Sequence, residues 1–370
     1  MNDSNYNIPQ MEPWFDKHET TALLEYMQSG GWVTEFNKTS ELERLIAEYV
    51  GAKYCSIVSN GTVSLALALI ACGVGPGDEV IVPDYTMIAS ANAVKLAGAE
   101  VVFADIEPDS ICLSLRQIQK VISPRIKAVI LVTINGRYPS DLEQIVTFCK
   151  ENGLRLIEDA AQSLGSRKDG KHLGTFGDIG SFSFAVPKII TTGQGGALVT
   201  DDEVLIEKIR KLRDFGREKP GADHYLTMGW NFKFTDIQAV IGIEQMKKLP
   251  WRVGRKKEIY NLYQQQLKDV SEIEFIPTNL IDTVPMFVDV LVPMEKRAML
   301  VNYLQEKGIG TRLSYPALHA EPVYSREGKY PVAENIAKRG LWLPSSSKLT
   351  DKEIARVCME IKNFFVNKES

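Results

Sequence analysis

At 370 residues and 44% hydrophobic side chains, the chain is long enough for one large domain and a smaller one, each with its own apolar core. Charged residues make up 24% and the formal net charge is -4, so no basic field exists to hold nucleic acid or an anionic lipid surface, and ligands must be recognised locally. The longest apolar stretches, such as 128–132, have strand length and fall far short of a membrane span. The start Met1-Asn2-Asp3-Ser4-Asn5 has no signal-peptide character, and a cytoplasmic protein is expected.

In chain order, residues 1–30 are expected to pack back onto the smaller domain, 31–251 to form the large domain and 252–370 the small C-terminal one. Within the large domain, short β-branched runs alternate with amphipathic stretches. Strands are predicted at 54–59, 79–83, 100–104, 127–133, 155–158, 180–184 and 197–200, and helices at 63–72, 89–96, 113–121 and 141–151. The alternation implies an α/β fold with a mostly parallel sheet. Beyond Trp251 the pattern changes to a helix, a strand at 286–292, a helix at 296–307 and a last helix at 352–367.

The five cysteines (Cys55, Cys72, Cys112, Cys149, Cys358) form no Cys-x-x-Cys pair, and they read as reduced core residues. The four histidines (His18, His172, His224, His319) show no metal-ligand spacing, so no metal is expected. Gly73-Val74-Gly75-Pro76-Gly77 mimics a dinucleotide loop only superficially: it follows a helix, and Pro76 removes an amide donor. It reads as a helix stop and turn.

In parallel sheets, ligands collect where strands end. Lys188 sits after the predicted strand 180–184, between an apolar run and the polar turn Thr191-Thr192-Gly193-Gln194-Gly195-Gly196. That is a place for a Schiff-base lysine, because burial can lower an amine toward the neutral form that attacks an aldehyde. A plain loop lysine is the alternative. Gly61 and Thr62 follow a strand and open a helix, which makes either an anion site of free amides or an ordinary capped turn. Asp159 ends a buried strand, where a carboxylate needs a cation, such as a protonated pyridine nitrogen, unless it caps the next turn.

Together, Ser59-Asn60-Gly61-Thr62, Gly77 to Pro83, Ile157-Glu158-Asp159-Ala160-Ala161-Gln162, Gly174-Thr175-Phe176-Gly177-Asp178, Ser181 to Gly196, and Gly229 to Asp236 resemble the DegT/DnrJ/EryC1/StrS sugar aminotransferases, over about residues 30–365. The resemblance implies the fold-type I architecture of pyridoxal 5'-phosphate (PLP) enzymes, with a large domain on a mostly parallel mixed sheet and a smaller C-terminal α+β domain. It makes Lys188 the imine-forming residue and Asp159 the partner of the pyridine nitrogen, and it puts Gln162 near the PLP hydroxyl. Gly61, Thr62 and Ser183 would hold the phosphate. Asn231 would reach the PLP phosphate of a neighbouring subunit, which implies a homodimer with shared sites.

Met87 stands where the family usually stacks an aromatic ring, Gln194 replaces a common Glu, and Gly31-Trp32-Val33-Thr34-Glu35-Phe36 lacks the family's Gly-Pro. The related sugar 3-dehydratases carry histidine in place of the lysine, so Lys188 implies transamination, with L-glutamate as donor and pyridoxamine 5'-phosphate as the half-cycle form. Thr311 to His319 resembles the substrate loop of members that act on GDP-linked 4-keto-6-deoxy hexoses. This makes Arg312, Tyr315 and His319 substrate candidates, joined by Trp32 of the altered 31–36 segment, though His319 serves equally as a structural loop histidine. A small phosphorylated ketone, a UDP- or dTDP-linked sugar, and a non-catalytic PLP-fold protein are the competing readings.

Overall fold

The computed structural model describes residues 7–366. From the amino end come α1 (Lys17–Gln28), α2 (Asn37–Val50), β1 (Tyr54–Val58), α3 (Gly61–Ala71), β2 (Glu79–Pro83), α4 (Ala89–Leu96) and β3 (Glu100–Ala104). They are followed by α5 (Leu115–Lys120), β4 (Ile126–Val132), α6 (Leu142–Glu151), β5 (Arg155–Asp159), a small hairpin of β6 (Arg167–Lys168) and β7 (Lys171–His172), β8 (Ile179–Ser183), β9 (Gly196–Thr200) and α7 (Glu203–Arg213). The remainder is α8 (Asp236–Leu267), β10 (Glu274–Phe275), β11 (Val288–Leu291), α9 (Met294–Glu306), β12 (Arg312–Leu313), α10 (Pro331–Arg339), β13 (Gly340–Leu343) and α11 (Asp351–Val366).

Seven strands form the main sheet in the order β1-β9-β8-β5-β4-β2-β3. Strands β8, β5, β4, β2 and β3 are parallel, while β9 runs antiparallel to both β8 and β1. Helices cover both faces, which is why β2 and β9 are buried at every position and read as unbroken apolar runs. A second, antiparallel sheet, β10-β11-β13-β12, packs with α9, α11 and the end of α8 around a separate apolar cluster.

The 32-residue α8 serves both bodies. It starts at a Thr235 cap whose hydroxyl accepts from the Gln238 amide, and it passes through Pro250 without ending. A proline there denies the Met246 carbonyl its amide donor and reads as a stop in sequence, yet flanking buried residues such as Leu249 and Arg252 hold the helix together. The boundary expected at 251/252 therefore lies inside one helix. The amino-terminal residues divide between the two bodies. Ile8 bridges Ile309, and Gln10 exchanges hydrogen bonds with Leu343 and Ser345 of the small body, whereas α1 lies along the first half of α8.

Two contacts fasten the loop after β4 to the small sheet. The Asn135 side chain pairs with both the amide and the carbonyl of Phe287, at 2.7 and 3.0 Å, as a neighbouring strand would. Arg137 makes a two-pronged ion pair with Asp289, both bonds at 2.7 Å, with both residues buried. Removing one member of such a pair strands the other and costs about 3–5 kcal/mol.

Candidate active site

Of the residues singled out from the sequence, Gly61, Thr62, Met87, Asp159, Gln162, Ser183 and Lys188 lie at or just beyond the carboxyl ends of β1, β2, β5 and β8. Asp159, the last residue of β5, lies opposite Val132 of β4 and Ser181 of β8 and is 6% exposed. One carboxylate oxygen accepts from the Ser90 hydroxyl at 2.7 Å, the other from the Ala161 amide at 3.2 Å. Burial raises its pKa, opposed by Ser90, by the charge of Lys188 and by the Ala161 amide. With these donors alone the ionised form is under-compensated, so the site favours an additional cation.

Lys188 follows β8 and lines a small enclosed cavity with Ala161, Gln162, Ser183 and Met286. Burial pulls its amine down to about 8; Asp159 works against this and Arg312 adds to it. A substantial neutral fraction is then present near physiological pH, as a nucleophilic amine requires.

Asn60 caps α3, its side chain accepting from the Val63 amide at 3.0 Å and its carbonyl from Ser64. The preceding amides, Gly61 and Thr62, have no intrahelical acceptor and point past the helix start. A Cβ at Gly61 would come within 2.9 Å of the Ser183 Cβ, so glycine permits the α3 start to close on the end of β8. Asn60, Gly61, Thr62 and Ser183 thus form a concave, donor-rich end suited to an anion.

Met87 is exposed; its carbonyl lies 3.3 Å from the Ser90 hydroxyl, whose one proton goes to Asp159. Gln162 is engaged at both ends, accepting from the Asn135 amide at 2.9 Å and donating to the Tyr315 hydroxyl at 3.3 Å. The Tyr315 ring meets Trp342 edge-on at 4.8 Å, and the Arg312 guanidinium lies over the other ring of that pair, Trp342, at 5.2 Å. Burial raises the Tyr315 hydroxyl to about 12, so it stays a neutral donor.

Three candidates occupy other neighbourhoods. Trp32 is exposed, its carbonyl accepting from Tyr26 and its ring tilted against Phe36 at 6.5 Å. Asn231 is exposed in the segment whose next residue, Phe232, accepts at its carbonyl from the Ser59 amide. His319 pairs through Nδ1 with the fully buried Asp84 at 2.7 Å, donates its amide to the same carboxylate, and turns Nε2 toward Glu334 at 3.9 Å. Its ring fastens the 317–319 loop to the end of β2.

Ser90, Asn135 and Trp342 carry much of this geometry and were not singled out from the sequence; Asn60 was read only as part of its motif, with no role of its own. A serine one helical turn beyond a loop methionine carries no motif. Trp342 reads only as an apolar residue in a late strand.

The family model for DegT/DnrJ/EryC1/StrS aminotransferases matches residues 14–362. The chain belongs to this family. It is 35% identical to the GDP-perosamine synthase of Escherichia coli O157:H7 over 362 residues, 98% of this chain and 99% of that one. It is 33% identical to the dTDP-4-dehydro-2,3,6-trideoxy-D-glucose 4-aminotransferase of Saccharopolyspora spinosa, covering 95% of each. Among solved structures, the aminotransferase TlmJ from Streptoalloteichus hindustanus superposes with a TM-score of 0.93 at 32% identity, covering 98% of this chain and all of that one.

As a family member the protein is a PLP-dependent aminotransferase. Its own residues suit that cofactor. Burial leaves the Asp159 carboxylate short of positive charge, Lys188 is lowered to about 8, and the α3 start offers amides without an acceptor among the described residues, beside a glycine that no larger residue could replace without displacing Ser183.

Proposed function

We propose that this enzyme transfers the amino group of L-glutamate to the ketone of a nucleotide-linked 4-keto-6-deoxy hexose, an activity of the GDP-perosamine synthase type, in cytoplasmic amino-sugar synthesis for surface polysaccharide. One observation carries the transamination chemistry: the buried amine of Lys188, lowered to about 8, and the buried carboxylate of Asp159 act on one another beyond the ends of neighbouring strands. The choice of a sugar nucleotide is supported by full-length similarity to relatives bearing such names.

Bound PLP supplies an aldehyde that takes up the donor nitrogen and a ring that withdraws electrons from the carbon being deprotonated. Asp159, held by Ser90 and the Ala161 amide, keeps a negative charge beside the ring nitrogen. The amides of Gly61 and Thr62, with the Ser183 hydroxyl, would hold the phosphate, and Met87 and Gln162 would contribute to the rest of the cofactor pocket. Lys188 Nζ removes the proton from the donor α-carbon and holds it for return, a step that needs the amine neutral first and protonated after. Arg312 would take a phosphate of the sugar nucleotide or the glutamate carboxylate, with Tyr315 beside it; Trp32 and His319, expected at the acceptor, lie in other neighbourhoods of this chain. Asn231 reaches the phosphate of a second copy, giving a homodimer with shared sites.

The test has two stages. Glutamate added to the PLP-loaded protein should bleach its visible absorption; no change would rule out the transaminase reading. The pyridoxamine form is then offered GDP-, UDP- and dTDP-linked 4-keto-6-deoxy hexoses and a triose phosphate ketone, with amine products read by mass spectrometry. Amination of the triose phosphate alone would overturn the sugar assignment.

A further inference from the structure

The loop that carries Lys188 is gripped from behind. The Arg252 guanidinium, 3% exposed on α8, donates from Nη1 to the carbonyl of Ile189, the residue after Lys188, at 2.7 Å. From Nη2 it donates to the carbonyl of Trp14 at 2.9 Å, and the Trp14 ring lies against the guanidinium at 5.2 Å. Two turns earlier on α8, the fully buried Gln245 repeats the arrangement. Its Oε1 accepts from the Thr191 amide at 3.3 Å, and its Nε2 donates to Trp14 at 3.0 Å and to Glu19 at 2.6 Å.

Both side chains therefore hold the same two strands of backbone, the 189–191 loop and the Trp14 turn before α1. The Trp14 side is itself fixed. Lys248 bonds both oxygens of Glu19 at 2.7 Å and pairs with Asp16, the cap of α1. Arg252 makes its direct hydrogen bonds to carbonyls, and its Nε has no partner among the described residues. Burying a guanidinium to bond two main-chain carbonyls is an expensive way to fill space, since an apolar side chain of similar volume would avoid the desolvation cost. The expense falls on the backbone atom adjacent to Lys188.

We infer that Arg252 and Gln245 are positioning residues for Lys188, fixing the conformation of residues 189–191 and tying it to the amino-terminal Trp14–Glu19 segment. This rests on the reading of Lys188 as the cofactor-binding lysine. Neither residue touches the reacting atoms: they act by limiting where the Lys188 backbone, and so its amine, can sit. A shift of about 1 Å in such a group is enough to slow chemistry by about a hundredfold.

The test uses Arg252→Met, Arg252→Lys and Gln245→Leu in the full chain. Amide hydrogen exchange of a peptide spanning residues 188–193 is measured in the cofactor-free protein, and the pH midpoint of the visible absorption band in the PLP-loaded protein. In Arg252→Met, exchange should quicken by about tenfold, as expected for one lost charged hydrogen bond, and kcat should fall at least as much while KM for glutamate stays within about twofold. The absorption midpoint should move, and Arg252→Lys should restore part of each change. Gln245→Leu, which keeps the guanidinium, should quicken exchange at Thr191. Wild-type exchange and an unmoved midpoint in a folded Arg252→Met would overturn the inference; if that variant does not fold, the same result in Gln245→Leu would. Lys188→Ala is the control. If it still develops the wild-type absorption band with PLP, the reading of Lys188 falls and not only its positioning.

Discussion

The Ser90 hydroxyl, at the amino end of α4, donates to the carboxylate of Asp159 on β5 at 2.7 Å, joining a helix and a strand that are 69 residues apart. A hydrogen bond to a buried charge is worth about 1.5–3 kcal/mol. Ser90→Ala should therefore weaken PLP retention and lower kcat by roughly ten- to a hundredfold, less than Asp159→Asn, which removes the charge itself. Cofactor dissociation followed by fluorescence, alongside steady-state kinetics, checks the order of the two variants.

The Lys188 amine, depressed to about 8, makes a pH prediction for cofactor capture. Only the neutral amine attacks an aldehyde, so the rate at which cofactor-free protein takes up PLP should climb as pH rises from 7 to about 9 and then level off. Stopped-flow absorption at constant ionic strength measures this. A climb continuing to about 10.5, the ordinary lysine value, would mean that the site does not tune the amine.

The homodimer with shared sites proposed above predicts complementation. Lys188→Ala and Asn231→Asp should each be nearly inactive, the second because its carboxylate would repel a phosphate in a partly desolvated site. After subunit exchange, verified by pull-down of differently tagged chains, the mixture should regain activity from heterodimers that hold one site with both native residues. Verified heterodimers no more active than the parents would place Asn231 within its own site or outside any site.

Lys256 is a second buried amine, bonded to the carbonyls of Met286 at 2.6 Å and Ser345 at 2.5 Å. Burial, with Arg252 adding to it, lowers this amine to about 7. The unfolded chain, with an ordinary lysine, binds the proton more tightly between that value and about 10.5, so stability should rise with pH through this window. Lys256→Met should flatten the rise and, through two lost hydrogen bonds, cost about 1–3 kcal/mol at pH 9. Urea titrations at pH 7, 8 and 9 on both proteins resolve the slope.

The parallel sheet was legible because its strands are buried on both faces and leave unbroken apolar runs, and helix 89–96 was legible because an alanine-rich stretch stops at Gly98, whose positive φ closes it locally. The position of Lys188 was legible because one cation stands out where an apolar strand gives way to a glycine-rich turn. Long-range partners were not. Ser90, Asn135 and Arg252 meet their partners across 69, 152 and 63 residues, and nothing in the local pattern of a serine, an asparagine or an arginine announces such a distance. His319 shows the same blindness from the other side. The sequence left it between a sugar contact and a loop anchor, and only the fold brings Asp84 to its Nδ1.

Because α8 belongs to both sheets, it acts as a shared beam, and its stiffness is interrupted where Pro250 leaves the Met246 carbonyl without an amide. That turn lacks one of the main-chain hydrogen bonds that stiffen the rest of α8. Arg252 stands just beyond it and Gln245 just before it, so the two grips on the 189–191 loop lie on opposite sides of the weak point. Any change in the angle of α8 at that turn would alter the separation of those grips, so the geometry of the Lys188 backbone is tied to the straightness of this one helix.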